Sequence, residues 1–123
     1  MVNPPEATVT DDPRFRDGLA RFNAGDFFDA HEAWEDLWHE CPAADRRFVQ
    51  SLIQAAVALY HWGNGNAAGA GTLLRRGRAK AADYPPVYHG LPLADLWAAV
   101  EATVVRGDPP ARIALVPNRA GLP

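Results

Sequence analysis

Apolar residues recur along the chain at the three- and four-residue spacing of amphipathic helices. A first helix is predicted to begin at Asp12 and Pro13, since the aspartate can cap free amide groups and proline suits the first helical position. Its apolar face carries Phe15, Leu19 and Phe22. No stretch alternates apolar and polar residues for long enough to predict a strand. The pattern therefore predicts an all-α fold.

Four more helices follow from the same spacing and from the residues that interrupt it. Asp26 is predicted to cap the second helix, with Asp29 as the acidic half of a capping box, and Pro42 follows the end of that helix. Asn66 is predicted to cap the fourth helix, and Gly107 to end the fifth. The predicted spans are about 26–40, 44–62, 66–83 and 93–107.

The predicted helices form one domain. A chain of 123 residues with 48% hydrophobic content suits a single core, and short loops favour antiparallel helical hairpins. We therefore predict a helical bundle of about five helices over residues 12–107. Residues 1–11 are polar and are predicted to be a flexible arm, and residues 108–123 are predicted to be an extended, proline-rich tail.

The charge and the cysteine content limit the classes of binding partner and the cellular compartments to be expected. Fifteen acidic and twelve basic residues give a net charge of -3, which argues against nucleic acid and against an anionic membrane surface as partners. The single Cys41 cannot form a disulfide within the chain, and the first residues lack the basic and apolar parts of a secretory signal. No apolar run is long enough for a membrane span. We therefore predict a cytoplasmic protein.

Two ionisable residues, His31 and Glu35, interrupt the aromatic stripe of the second helix. A helix concerned only with burial would carry leucine or alanine at these positions. A carboxylate buried without a partner costs several kcal/mol, so Glu35 is expected to meet a donor, a cation or water. The aromatic residues of the same stripe are Phe27, Phe28, Trp34 and Trp38.

The third helix also carries a strip of polar side chains, which lie within roughly 60° of one another around the helix axis. In a tight antiparallel hairpin that turns near residues 42–43, Gln54 faces His31, Gln50 faces Glu35, and Arg47 lies within reach of Glu35. His61 lies about two turns beyond the position that faces His31, too far for direct contact. The residues predicted to line this buried pocket are Trp34, Trp38, Arg47, Gln50, Gln54 and His61.

Three interpretations of the pocket stay open. His31 and Glu35, four residues apart, can converge on zinc, iron or manganese, although a third good ligand is missing. Alternatively, the polar residues form a buried hydrogen-bonded network that fixes the register of the hairpin. A small polar ligand, with Glu35 as a base, is the third interpretation. The sequence does not indicate a nucleophile beside a base, and it leaves open whether the protein is an enzyme.

The stretches FNAGDFFDAHEAWEDLWHEC and RRFVQSLIQAAVALYHWGNGNAAGAGTLLRRG resemble the bacterial and archaeal domain-of-unknown-function family 309. The likeness covers roughly residues 14–80. An HxxxExxW signature is met here by His31, Glu35 and Trp38. The resemblance implies a small all-helical fold with no assigned biochemical role, and a suspected metal role for His31 and Glu35.

A second class of function comes from a likeness to tetratricopeptide hairpins. The helix end at Gly25 and the aromatic helix after it are similar to such a hairpin, and GNAAGAGTLLRRG echoes it. A repeat array needs at least three units, and the chain offers no more than two degenerate ones. In this alternative the protein is a helical interaction module, and its His/Glu pair is purely structural. A second copy of the chain or another protein is then the expected partner.

Overall fold

The computed structural model describes residues 8–116, and the all-α prediction is confirmed there. Within these residues the only β pairing is an isolated bridge between Tyr88 and Leu91. None of the helices found there is both long and apolar enough to cross a membrane. Two short 3-10 helices span Val9–Asp11 and Ala43–Asp45. The α-helices are α1 (Pro13–Asn23), α2 (Phe27–Trp38), α3 (Arg46–Gly63), α4 (Ala67–Ala81) and α5 (Leu93–Arg106).

Local signals set most of the helix ends. The side chain of Asp12 accepts a hydrogen bond from the amide of Arg14, and Asn66 Oδ1 accepts one from the amide of Gly69 at 2.9 Å. Gly107 ends α5 in the left-handed conformation, at φ 78°. The predicted capping box of α2 is wrong, because the Asp26 side chain makes no cap hydrogen bond. Asp29 lies 3.6 Å from Arg21 Nη1 instead.

Consecutive helices pack against one another, and α3 lies at the centre of the bundle. The most extensive contacts join α3 to α4, α2 to α3 and α1 to α2, while α5 packs against α3 and α4. Short connections make neighbours antiparallel, as predicted. The residues of α3 that are buried in the core are Phe48, Val49, Leu52, Ala55, Ala56, Ala58 and Leu59.

A close approach of α1 and α2 is made by a glycine and a tryptophan. The indole of Trp34 is fully buried, and a Cβ added at Gly18 would overlap its ring. The indole N–H donates a hydrogen bond to the carbonyl oxygen of Phe15 at 3.1 Å. The rings of Phe15 and Phe22 lie 6.3 and 5.7 Å from the indole, centroid to centroid. Glycine at position 18 therefore allows α2 to bury its largest side chain against α1.

The chain on either side of the five helices is packed in part. Residues 9–11 were expected to belong to a loose arm, but they form a 3-10 helix with buried Val9 and Thr10. In the irregular stretch 108–116, the backbone of Ile113 donates to and accepts from the Asn23 side-chain amide, at 2.7 Å each. Positions 1–7 of the predicted arm and 117–123 of the predicted tail lie outside the described residues.

Replacing Gly18 with alanine is expected to destabilise the fold by about 1–3 kcal/mol, because the new methyl group meets the buried indole of Trp34. The free energy of unfolding from urea titration measures this loss. Gly71→Ala in α4 is the matched control, since its added Cβ would have only Arg75 Nη1 nearby, at 3.8 Å. That change should stabilise by about 0.5–1 kcal/mol. Equal effects of the two substitutions would contradict the close packing.

Candidate functional site

The predicted ionisable pair lies at the edge of the bundle, not inside it. The side chain of His31 is 20% exposed and that of Glu35 is 50% exposed. The expectation of a buried His/Glu site is therefore wrong, most clearly for Glu35. The core face of α2 is formed by Ala30, Trp34 and Leu37.

The geometry of an α-helix explains why the His31 and Glu35 pair was wrongly expected to be buried. At 100° per residue, the direction of His31 lies about 90° from the centre of the core face, and that of Glu35 about 130° from it. The predicted apolar face of α2 is centred on the aromatic stripe, which includes Phe28. Phe28 is 48% exposed, so an aromatic side chain at the surface shifted the predicted face toward Glu35.

The proximity of His31 and Glu35, expected from their spacing, is present. His31 Nε2 lies 3.1 Å from Glu35 Oε2. The other ring nitrogen, Nδ1, lies 2.8 Å from the carbonyl oxygen of Phe28. Because a carbonyl oxygen can only accept, Nδ1 carries the proton of this hydrogen bond. The Glu35 carboxylate also only accepts, so an ion pair with it places a proton on Nε2 as well. In a neutral ring with Nδ1–H, the Nε2 lone pair faces the carboxylate, an arrangement that a cation between the two atoms would stabilise.

Two exposed aromatic rings lie near the histidine, one against its ring and the second against the first. The ring of Phe28 lies 5.0 Å from that of His31 and 5.5 Å from that of Tyr60, centroid to centroid. Tyr60 is 40% exposed. We call Phe28 and Tyr60 the aromatic patch. Rings of this size are usually covered in a folded protein, so the patch is an unpartnered apolar surface next to the ionisable pair.

The same contacts support the predicted register of the α2–α3 hairpin. Phe28, near the start of α2, faces Tyr60, near the end of α3. At the other end, the guanidinium of Arg46 lies 4.1 Å from the centroid of the Trp38 ring. Both pairs lie close to the facing positions that the predicted register gives. The hairpin turns at Pro42, as expected.

The polar side chains of α3 do not form the expected network with Glu35. Arg47 Nε lies 2.7 Å from Asp83 Oδ2, at the far end of α4, so the predicted Arg47 contact is wrong. Gln50 makes no side-chain hydrogen bond within residues 8–116. His61 Nδ1 lies 3.4 Å from the side chain of Asn66 instead. In the part of the chain that the structure describes, His31 and Glu35 are the only predicted pocket residues whose side chains share a hydrogen bond or ion pair.

Two residues predicted to line the pocket have buried polar atoms without partners. Within the described part of the chain, neither Gln54 Oε1 nor Trp38 Nε1 has a hydrogen-bond partner. A buried polar group left unpaired costs about 1–3 kcal/mol. The hydrogen-bonded network that would have satisfied these atoms is therefore not formed by protein groups in residues 8–116. Trp34, the remaining predicted lining residue, bonds to α1.

His31 and Glu35 are two side chains of the kind that can bind a metal ion. Among residues 8–116 there is no group of three or more histidine, cysteine, aspartate or glutamate side chains placed to hold one ion. His31 and Glu35 thus offer one imidazole nitrogen and one carboxylate, and residues 8–116 do not place a third such side chain beside them.

A second polar cluster was not predicted from the sequence. Asp45, the most deeply buried carboxylate of the described chain, accepts a hydrogen bond from the Tyr88 hydroxyl at 2.6 Å. His89 Nε2 lies 3.7 Å from the same oxygen, and the His89 carbonyl accepts from Thr10 at 2.8 Å. Burial, with help from Asp45, raises the pKa of Tyr88 well above its ordinary range. No local pattern joins these residues, since a loop brings them together.

The cleft beside this cluster does not offer an activated nucleophile. It has a volume of about 560 Å³ and includes Asp45, His89 and Cys41 in its lining. Burial raises the pKa of the Cys41 thiol, and the thiol donates to the carbonyl of Trp38 at 3.6 Å. A thiol held protonated is a poor nucleophile. The contacts of the cluster join the loop after α4 to the start of α3.

Comparison with known proteins identifies the family. The model of the family described as Domain of unknown function (DUF309) matches residues 15–82, which run from α1 to the end of α4. This chain belongs to the DUF309 family. The matched region includes the α2–α3 hairpin and both His31 and Glu35, whereas α5 lies outside it.

Two curated relatives of this DUF309 chain are longer proteins. An uncharacterized protein of Aquifex aeolicus (strain VF5) is 29% identical over 93 residues, which make up 72% of this chain and 28% of that protein. The uncharacterized protein YpuF of Bacillus subtilis (strain 168) is 45% identical over 60 residues, or 47% of this chain and 34% of YpuF. The matched segments thus span about a third of each relative's length.

Because Glu35 is half exposed, Glu35→Ala should change the free energy of unfolding by less than about 0.5 kcal/mol. Urea titration of the purified variant measures the change. Trp34→Ala, on the core face of the same helix, should lose about 3–5 kcal/mol and serves as the reference for a buried position. A loss above about 2 kcal/mol for Glu35→Ala would show that the carboxylate is buried and paired after all.

Gln54→Leu is expected to leave stability unchanged or raise it by up to about 1 kcal/mol, because it removes a buried acceptor that has no partner in residues 8–116. Thermal and urea unfolding measure the effect. Gln50→Leu is the control, since Gln50 has a similar burial on the same helix but no buried orphan atom. A clear loss of stability for Gln54→Leu alone would mean that its side-chain oxygen is hydrogen-bonded.

Proposed function

We propose that this DUF309 domain binds a divalent metal ion at the surface of α2, through His31 Nε2 and a Glu35 carboxylate oxygen. The observation that carries the proposal is the hydrogen bond between His31 Nδ1 and the carbonyl of Phe28, at 2.8 Å. Histidines that bind metals through one ring nitrogen usually donate the other N–H to a carbonyl or carboxylate. That bond fixes the ring and leaves the Nε2 lone pair available.

The spacing of the two donor atoms also supports a shared ion. Metal–nitrogen and metal–oxygen bonds of about 2.0–2.2 Å put two ligands of one ion roughly 3 Å apart. Nε2 and Oε2 are 3.1 Å apart. Imidazole with carboxylate suits zinc, iron or manganese, so the donor set admits any of the three.

The charge of the surrounding surface favours a cation. Glu32 and Asp36 are exposed on α2 near Glu35, and neither forms an ion pair with a basic side chain in residues 8–116. This run of carboxylates gives the outer face of α2 a negative potential, which raises the local concentration of cations.

Two protein ligands leave open coordination positions. When bound, a divalent ion supplies Lewis acidity and a point of attachment for an oxygen or nitrogen donor. His31 and Glu35 hold the ion, while Phe28 and Tyr60 form an apolar wall beside it. A small polar molecule with an apolar part would therefore fit the same surface.

A second candidate function, a helical interaction module, has its own support. The aromatic patch is exposed, and the relatives of this chain carry the matched segment within longer proteins. In that case His31 and Glu35 form only an i, i+4 ion pair, worth about 0.3–0.5 kcal/mol on a helix surface. The two candidates differ in whether the pair takes up metal.

Tag-free protein, exposed separately to Zn²⁺, Mn²⁺ and Fe²⁺ and then dialysed, should retain one of these ions, and His31→Ala should reduce the retained metal at least tenfold. Elemental analysis and isothermal titration measure retention and affinity. His39→Ala is the matched control, because His39 is exposed at the end of the same helix. Retention by His31→Ala equal to that of the natural chain, or no retention by the natural chain, would refute the proposal.

A further inference from the structure

We propose that two copies of this chain share one metal ion, each copy giving the imidazole of His31 and the carboxylate of Glu35. The inference rests on the proposed function and specifies the partner of that site. It follows from the number of ligands, the direction in which they are exposed and the character of the surface around them.

One copy of the chain supplies too few ligands to close a metal site. A closed zinc site has four ligands in tetrahedral geometry. One copy supplies two, and no further group in residues 8–116 joins them. A twofold axis through the ion presents the same pair from a second copy, because a twofold interface uses the same surface on both subunits. Two histidines and two glutamates then complete the site.

Because the His31 and Glu35 pair is partly exposed, a second copy of the chain can reach it. Glu35 lies about 130° from the core face of α2, and half of its side chain is open to solvent. The bundle covers His31 more than Glu35, so the Glu35 side of the pair is its more open side. On that side another chain can approach without unpacking any helix.

The aromatic patch explains how the contact extends beyond the ion. Phe28 and Tyr60 are the most exposed aromatic side chains in the described chain, and Phe28 lies directly against the His31 ring. A twofold axis at the ion brings this patch next to the α2 surface of the other copy. Burial of the rings then adds apolar contact to the metal bonds.

Charge makes the assembly depend on the ion. Two copies of the acidic face of α2, with Glu32, Glu35 and Asp36, repel one another when they meet directly. Two rings on each side bury far less than the roughly 800 Å² per partner of a stable interface. The patch alone is therefore too small to overcome the repulsion, and the chain without metal is expected to be a monomer.

Sedimentation velocity of the full chain, with Zn²⁺ titrated from zero to excess, tests the inference. The expected result is a monomer without Zn²⁺, a dimer at one Zn²⁺ per two chains, and a return to monomer with a chelator. Tyr60→Ala should weaken dimerisation at least tenfold, whereas Val105→Ala, which removes an exposed apolar side chain on α5, should not. Circular dichroism of each variant checks that it is folded.

The outcomes separate this inference from the proposed function. A chain that stays monomeric while binding one Zn²⁺ through His31 would overturn the shared site and leave the metal proposal intact. A chain that binds none of Zn²⁺, Mn²⁺ and Fe²⁺ would overturn both, whereas a chain that binds Mn²⁺ or Fe²⁺ but not Zn²⁺ would overturn only the shared zinc site. A dimer that forms equally well in His31→Ala, or equally well without metal, would also overturn the shared site.

Discussion

The rotation of α2 about its own axis depends on one contact, the indole of Trp34 against the backbone of Gly18. The indole is enclosed by Phe15 and Phe22, and its N–H is bonded to the backbone of α1. Once this ring is fixed, every other residue of α2 has a set direction, because successive residues turn by about 100°. His31 and Glu35 therefore reach the surface as a consequence of how Trp34 is buried.

Local signals in the sequence predicted the helices well because they act within a few residues. The oxygen of Asp12 caps the helix that begins beside it, Asn66 does the same for α4, and Gly107 ends α5. The i, i+4 proximity of His31 and Glu35 was predictable for the same reason. Which side of α2 faces the core is a different kind of property, since it depends on the packing of Trp34 against another helix, α1. Aromatic character alone could not reveal it, and Phe28 is the residue that misled the prediction.

Contacts between distant parts of the chain account for the other differences. Arg47 was expected to reach Glu35, but Asp83 is brought to it by the packing of α4 on α3. The buried Asp45 pairs with Tyr88, which is 43 residues away in sequence. A hairpin considered alone contains no information about either partner. Long-range pairing of this kind depends on how all the helices pack, so it was accessible only from the three-dimensional structure.

The carbonyl of Phe28 has a specific task in the proposed site, because it holds the proton on His31 Nδ1 and leaves Nε2 directed toward the carboxylate. Long-range ¹H–¹⁵N correlation spectra of histidine-labelled, metal-free protein test this directly at about pH 9, above the ordinary titration range of imidazole. We expect His31 in the Nδ1–H tautomer, with the chemical shift of an unprotonated nitrogen at Nε2. A His31 ring protonated on Nε2 would contradict it.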